Sequence, residues 1–269
     1  MRMLDGLHAV VTGASRGLGV GAAAALAGAG ARVTIVAEEP RELEHAQRLL
    51  AAEGAAVATA CVDLSDRAAV LALGERLGAG PDAADVLVNN AAVLPMLPVN
   101  ATTDAVWDRT LAVNLTAPFL LLRAVAPRLA GRGGSIVNVS SRAGIEGFAD
   151  ESAYCAAKFG LEGLTRAVAL EWQGTAVSVN TVSPGTRIKP TGVTTAAFAD
   201  WTADQRAIFR DPRELGSAFV LLAMLRGSPS GCRFDLWRLA QAIAADGFDA
   251  TRARLATLAE PVSASRSAP

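Results

Sequence analysis

The sequence predicts an α/β fold: one doubly wound parallel sheet with helices on both faces, in a single domain. Three observations predict it. Short runs rich in Val, Ile and Thr alternate with longer Ala- and Leu-rich segments along most of the 269 residues. A glycine-rich loop joins the first such run directly to the first helical segment. Hydrophobic residues make up 51% and charged residues 19%, with no repeat and no linker, so the chain can bury one large core. Strands separated by helices need crossover connections, and crossovers give parallel strands covered on both faces.

Taken in order, the first strand is expected at residues 8–12. Gly13-Ala14-Ser15-Arg16-Gly17-Leu18-Gly19 follows, and then a helix to about residue 28. The glycines permit positive φ and close approach of the backbone. The helix start then offers free N–H groups and a positive dipole end to a phosphate. Such a loop alone can be a mere tight turn; between a strand and a helix it points to dinucleotide binding. The second strand, 31–37, leaves Glu38 at its carboxyl end, where a dinucleotide fold reads the adenosine ribose. Helix 41–53, strand 57–62, helix 66–77 and strand 86–89 continue the alternation. A long helical region is expected over 103–129, containing Asn114 and an interruption at Pro118. Strand 135–140, helix 154–172 and strand 177–182 come next. Helices at 200–209, 214–225 and 236–245 surround a short strand at 232–234. The domain is expected to span 1–248, with 249–269 as a tail whose Ser-, Ala- and Pro-rich end, 261–269, is disordered.

Within helix 154–172 lies Tyr154-Cys155-Ala156-Ala157-Lys158, which carries the only tyrosine in the chain. Residues four apart share a helix face, so Lys158 stands one turn from Tyr154. A phenol titrates near pH ~10, and a neighbouring ammonium lowers that value by favouring the phenolate. A phenol so tuned can exchange a proton with an alcohol or carbonyl oxygen. Tyr-x-x-x-Lys alone is common by chance, and a surface tyrosine beside a lysine is the plain alternative.

Composition excludes several classes. A formal charge of −1 and the lack of a polybasic run argue against nucleic acid and anionic lipid. Cys61, Cys155 and Cys232 are unclustered, and His8 and His45 lack partners at ligand spacing, so neither a disulfide framework nor a metal site is expected. Cys155 reads as a small filler rather than a redox centre. Apolar runs such as 119–122 are cut by Pro118 and Arg123, so no membrane span of ~20 apolar residues is expected. With no apolar leader before the first strand, the expectation is a cytoplasmic protein.

From about residue 7 to 231 the chain resembles the short-chain dehydrogenase/reductase family in its single-domain form. Thr12-Gly13-x-x-x-Gly17-x-Gly19 is similar to that family's cofactor loop, and Asp63-Leu64 to its adenine-contacting pair. Asn89-Asn90-Ala91-Ala92 is similar to its Asn-Asn-Ala-Gly, with alanine for glycine. Asn114, Ser141 thirteen residues before Tyr154, and Pro184-Gly185 fall on its remaining motifs. The resemblance implies a Rossmann fold that binds NAD or NADP. It implies catalysis by Asn114, Ser141, Tyr154 and Lys158: Tyr154 exchanges the proton, Lys158 lowers its pKa and reaches the nicotinamide ribose, and Ser141 holds the substrate oxygen. The helix asparagine holds a water that links Lys158 to solvent. Ser140 competes with Ser141, though only one of two successive strand residues faces the cleft. The implied cofactor contacts are Gly13, Ser15, Arg16, Gly17, Leu18, Gly19, Glu38, Asp63, Leu64, Asn90, Ala91, Ala92, Tyr154, Lys158, Pro184 and Gly185.

The family pairs its long helices between subunits, which implies a homodimer or homotetramer. Three departures stand out. The loop after Gly185 lacks the usual threonine, so Thr191 takes that role if the loop carries an insertion, and Arg187 and Lys189 are either contacts for the cofactor pyrophosphate or an anionic substrate, or solvated loop charges. The family's closing Asp-Gly-Gly is replaced by Arg233-Phe234-Asp235-Leu236-Trp237, which puts the end-to-end subunit contact in doubt. At the adenosine ribose, Arg16 favours a 2′-phosphate while Glu38 repels one; Arg41 is a further cation in reach, and an Arg16–Glu38 ion pair would blunt both signals. Because exposed ion pairs contribute only ~0–1 kcal/mol, the sequence leans to NAD(H). The leading expectation is an NAD(P)-dependent oxidoreductase acting on a small secondary alcohol or ketone. Alternatives are a 3-oxoacyl-carrier-protein reductase, against which the acidic Glu146, Asp150 and Glu151 weigh, and a non-catalytic NAD(P)-binding regulator.

Overall fold

The computed structural model describes residues 2–189, 193 and 195–260. Among them, seven strands form one sheet: β1 His8–Thr12, β2 Arg32–Ala37, β3 Val57–Cys61, β4 Val86–Asn89, β5 Gly134–Val139, β6 Val177–Ser183 and β7 Arg233–Asp235. Their order is β3-β2-β1-β4-β5-β6-β7, and every pairing between them is parallel. This is the predicted doubly wound sheet. β1, β4, β5 and β6 are buried at every residue, as strands covered on both faces must be, whereas the edge strand β3 is largely exposed.

The helices divide between the two faces. α1 Gly17–Gly28, α2 Pro40–Ala52, α9 Gly216–Ala223 and α10 Leu236–Ala253 bury Leu26, Leu50, Phe219 and Leu239 in one core. On the other face, α3 Arg67–Gly78, α5 Ala117–Arg132 and α6 Ser152–Glu171 bury Leu73, Leu121, Val125 and Val168 in a second. Order reverses at β1, so the chain leaves β1 and β4 toward opposite sides and opens a crevice at their carboxyl ends. Asp66 caps α3, accepting from the N–H groups of Ala68 and Ala69 at 2.8 and 3.3 Å.

The structure departs from the sequence expectations in four places. The long helical region is α4 Asp104–Leu111, a π-helical turn Ala112–Thr116 and then α5. The regular α pattern is broken in the π-helical turn immediately before Pro118 rather than at Pro118 itself, which follows in the first residues of α5. By length and composition alone the run Asp104–Arg132 is long and apolar enough to cross a membrane, contrary to the expectation that no segment is; its buried side packs on α3 and the sheet. Residues 200–209 contain only α8 Ala203–Ala207, after the short α7 Thr195–Ala199. Residues 249–260 are folded onto the body rather than forming a tail. α10 continues past a non-helical Gly247 (φ 81°), and Leu255 and Leu258 enter the core. Glu260 then pairs antiparallel with Arg233 of β7. Residues 261–269 and Thr191 lie outside the described residues.

Candidate active site

The carboxyl ends of β1, β4, β5 and β6 frame a cleft of about 840 Å³. Its floor is the loop after β1. Gly13 has φ +63° and lies so close to the loop after β4 that a Cβ there would stand 2.6 Å from the Ala91 Cα. A Cβ on Gly19 would meet the Gly13 carbonyl at 2.4 Å. Gly17, at φ +57°, has open space on the side a Cβ would occupy. Thr12 and Asn90 lock the loop: Asn90 Nδ2 donates to the Thr12 and Gly13 carbonyls at 2.8 and 3.0 Å, and the Asn90 and Ala91 N–H groups donate to Thr12 Oγ1 at 3.0 Å each. No side chain caps α1 at Arg16, so its first N–H groups face the cleft. A backbone cradle at an uncapped helix start suits a dinucleotide pyrophosphate, and the predicted group fits these residues.

At the ribose end, the ion pairs differ from those expected. Arg16 Nη1 donates to both oxygens of Glu42, at 2.9 and 2.7 Å, and Ser15 Oγ donates to Glu42 Oε2 at 3.3 Å. Glu38 is held by Arg109 Nη2 at 2.7 Å, so the expected Arg16–Glu38 pair is replaced by two separate ones. Arg41 is exposed on α2, away from the cleft lining. Arg109 also reaches Asp63 Oδ2 at 3.3 Å. Burial pushes the Asp63 carboxyl up, but hydrogen bonds from Ser65 and the Arg109 charge outweigh it and leave it below its ordinary value.

The catalytic candidates converge on one wall. β5 ends at Val139, and Ser141 caps the 3₁₀ turn Arg142–Gly144 by accepting from the Ala143 N–H at 3.2 Å. Ser140 points inward, where its Oγ accepts from Arg233 at 3.3 Å. Ser140 is thus engaged away from the phenol, and Ser141 is the serine that acts on Tyr154, lowering its pKa. One turn along α6, Lys158 is wholly buried; its Nζ donates to the Val139 carbonyl at 2.7 Å and lies 5.5 Å from the Tyr154 ring centre. Asn114 falls in the π-helical turn, and its side chain brackets Val93, donating to the carbonyl at 2.8 Å and accepting from the N–H at 2.9 Å. It thereby fixes the loop after β4 against the cleft. Cys155 is the filler expected, packed with Ala143 and Tyr154.

One expectation is reversed. The Tyr154 phenol is raised to about 12, because burial disfavours the phenolate; Ser141 lowers it, and the Glu151 carboxylate pushes it further up. Lys158 is lowered to about 8 by burial, partly offset by Glu162. Desolvation, not the neighbouring lysine, dominates the phenol in this environment.

Pro184 and Gly185 line the cleft after β6. Gly185, at φ +70°, cannot carry a side chain, since the Asp235 carboxylate occupies that space. Arg187 and Lys189 line the same loop; burial lowers the Lys189 ammonium, and Arg16 nearby lowers it further. Leu18, Leu64 and Ala92 line the cleft as well, whereas Gly19 lies under the loop and Asn114 behind the wall, outside the lining. Glu151 lines the cleft within the stretch 143–152 expected to form the substrate pocket, one helical turn before Tyr154. Sequence reasoning missed Glu42, Arg109, Arg233 and Glu260 as parts of the site. These come from sequence-distant elements.

A dinucleotide cradle and a Ser–Tyr–Lys wall sharing one cleft are the arrangement of a nicotinamide-dependent oxidoreductase. The family model described as short chain dehydrogenase matches residues 7–202. The chain is 40% identical over 185 residues to the D-threitol dehydrogenase of Mycolicibacterium smegmatis, covering 67% of this chain and 70% of that protein. It is 40% identical over 207 residues to the L-xylulose reductase of Bos taurus, covering 76% and 79%. A metagenomic short-chain oxidoreductase solved with NADP superposes with a TM-score of 0.72 at 36% identity, covering 87% of this chain and 97% of that one. The chain belongs to the short-chain dehydrogenase family.

Proposed function

We propose that this protein interconverts a small polyol and its ketose with NAD(P), using Tyr154 as general acid and base. The observation that carries the reading is Ser141 acting on the Tyr154 phenol with buried Lys158 one helical turn away, all in the same cleft as the glycine loop. The nicotinamide, when bound, accepts or delivers the hydride at the substrate carbon. Ser141 holds the substrate oxygen, and Tyr154 takes the alcohol proton in oxidation or returns it in reduction. Lys158 supplies a buried cation behind the phenol and a donor for ribose hydroxyls. Asn114 positions this wall through Val93.

The substrate class follows from the cleft and the relatives together. Glu146 and Glu151 line its outer part, and Ala92, Leu94 and Phe148 pack beside Tyr154. Carboxylates accept from hydroxyl groups and repel anionic substrates, which favours a neutral polyol. Relatives named D-threitol dehydrogenase, L-xylulose reductase and sorbitol dehydrogenase agree with that chemistry. For the cofactor, similar structures carrying NADP give the lean toward NAD no support. The ribose end holds two arginines and three carboxylates already paired, and use of both cofactors is the reading that suits it.

Steady-state assays with D-threitol, D-sorbitol and L-xylulose, each with both cofactors, test the proposal. Turnover of at least one, lost by ~10²–10⁴ in Tyr154→Phe with cofactor binding retained, is expected. Absence of turnover across the panel would overturn the substrate class; a Tyr154→Phe enzyme near wild-type kcat would overturn the mechanism.

We also propose a homodimer formed through α5 and α6, where Phe119 and Phe159 are exposed.

A further inference from the structure

Behind the catalytic wall lies a buried polar cluster that the mechanism does not use. Arg233, the first residue of β7, is 3% exposed. Its Nε donates to Glu260 Oε2 at 2.6 Å, and its Nη1 pairs with Glu162, whose other oxygen accepts from Thr181 Oγ1 at 2.8 Å. The same guanidinium donates to Ser140 Oγ at 3.3 Å and, through Nη2, to the Ser141 carbonyl at 3.0 Å. A planar fork of donors reaches four partners at once, which a lysine cannot do. Glu162 stands one turn beyond Lys158 on α6, so two buried cations face two carboxylates. The turn after Ser141 is seated hard on this helix: a Cβ on Gly144 would lie 2.5 Å from Ser140 Oγ and 3.1 Å from Glu162 Cγ.

We propose that Arg233 is a positioning residue. Held between Glu162 and Glu260, it fixes the Ser140–Ser141 backbone against α6 and so aims the Ser141 hydroxyl at Tyr154. Glu260 makes the closing stretch of the chain a working part of the site: its N–H donates to the Arg233 carbonyl at 2.8 Å, its carboxylate holds the guanidinium, and it lines the cleft. This rests on the proposed roles of Ser141 and Tyr154.

Arg233→Lys, Arg233→Met and Glu260→Gln test it, with melting temperature, cofactor affinity, kcat and KM measured for each. Arg233→Lys keeps the buried cation, so it should stay folded and bind cofactor as wild type does, yet lose about tenfold in kcat because Ser141 is no longer held. Glu260→Gln should keep the wild-type melting temperature and lose about threefold in kcat. Arg233→Met should lose both stability and activity. A readout independent of turnover is the ultraviolet signal of Tyr154, the only phenol in the chain. The groups facing it are Ser141, Glu151, Cys155 and Lys158. Releasing Ser141 removes an interaction that lowers the phenol pKa. At about pH 11, Arg233→Lys should therefore show less phenolate than wild type, with circular dichroism confirming the fold at that pH. Wild-type kcat, or an unchanged phenolate signal in folded Arg233→Lys, would overturn the inference; wild-type kcat in Glu260→Gln would remove the closing stretch from it. Failure of the polyol reading would show separately, as an inactive wild type whose phenolate difference persists.

Discussion

Tyr154 is the chain's only tyrosine, so its ionisation can be followed by absorbance without interference from other phenols. Burial sets its pKa to about 12 in the folded protein, against about 10 for a free phenol. Phenolate absorbance should therefore stay near baseline past pH ~10 when the protein is folded and rise at that pH when it is unfolded. A folded-state midpoint near or below the free value would restore the lysine-dominated phenol that the sequence suggests. Lys158 gives a second test, on stability. Its folded pKa, about 8, lies below its ordinary 10.5, so the fold carries a penalty for the charged form below pH 8 that is relieved as pH rises to 10.5. That relief is worth about 3 kcal/mol. Tyr154 acts in the opposite sense, and only at higher pH: its contribution is intact below about 10 and lost as pH rises toward 12. The difference in unfolding free energy between wild type and Lys158→Met should thus move in favour of wild type between pH 7.5 and 10, as measured by urea titration. A difference independent of pH would mean that Lys158 is not desolvated. The identities of both residues were legible in the spacing Tyr-x-x-x-Lys, but their electrostatics were not, because desolvation depends on Ala143, Phe148 and Val139 packing around them from other elements.

At the scale of elements, the glycine loop and the acidic start of α2 face one another across the ribose end of the cleft. Strand and loop boundaries were largely readable there: residues 8–12 and 86–89 are strands as expected, because fully buried β-branched runs ending in Gly13 or Asn89 have few other conformations open to them. The π-helical turn at Asn114 was not readable, since its composition is that of ordinary helix. The pairing of Arg16 was not readable either, because Glu42 lies 26 residues away and only the folding of β2 and α2 back across the loop brings it to the guanidinium. That pairing leads to a prediction about selectivity. A 2′-phosphate competes with Glu42 for Arg16, so Glu42→Gln should free the guanidinium. Because the pair is partly exposed, the gain is modest: the NADP(H)-to-NAD(H) ratio of kcat/KM should rise about two- to fivefold. Arg16→Gln should move the ratio the other way. An unchanged ratio in both variants would place the selection at Lys189 or Glu38 instead.

At the scale of the whole molecule, the exposed side of α6 carries Ala156, Phe159, Gly163, Ala167 and Leu170, spaced to form one stripe with no charged residue in it. Phe159 is 47% and Leu170 73% exposed, and a Cβ on Gly163 would meet nothing within 4 Å. Small residues flanking a large aromatic let a second helix approach closely and bury that aromatic, while a neutral stripe imposes no like-charge repulsion on a symmetric pair. Phe119 on α5, with Arg123 stacked over it at 5.3 Å, extends the apolar surface beyond α6. The opposite end of the sheet is different. β7 is three residues long, and Glu260 pairs with Arg233 beside it, so the described chain itself occupies part of that edge. One apolar face available to a second copy and one edge partly closed favour a dimer over a tetramer. Sedimentation at micromolar protein should give a dimer, and Phe159→Asp should give a monomer that keeps its melting transition and its bound cofactor, because the α6 stripe faces away from the cleft side of that helix. A wild-type monomer would remove the α6 surface as an interface, and a wild-type tetramer would mean that the β7 end still accepts a partner despite Glu260.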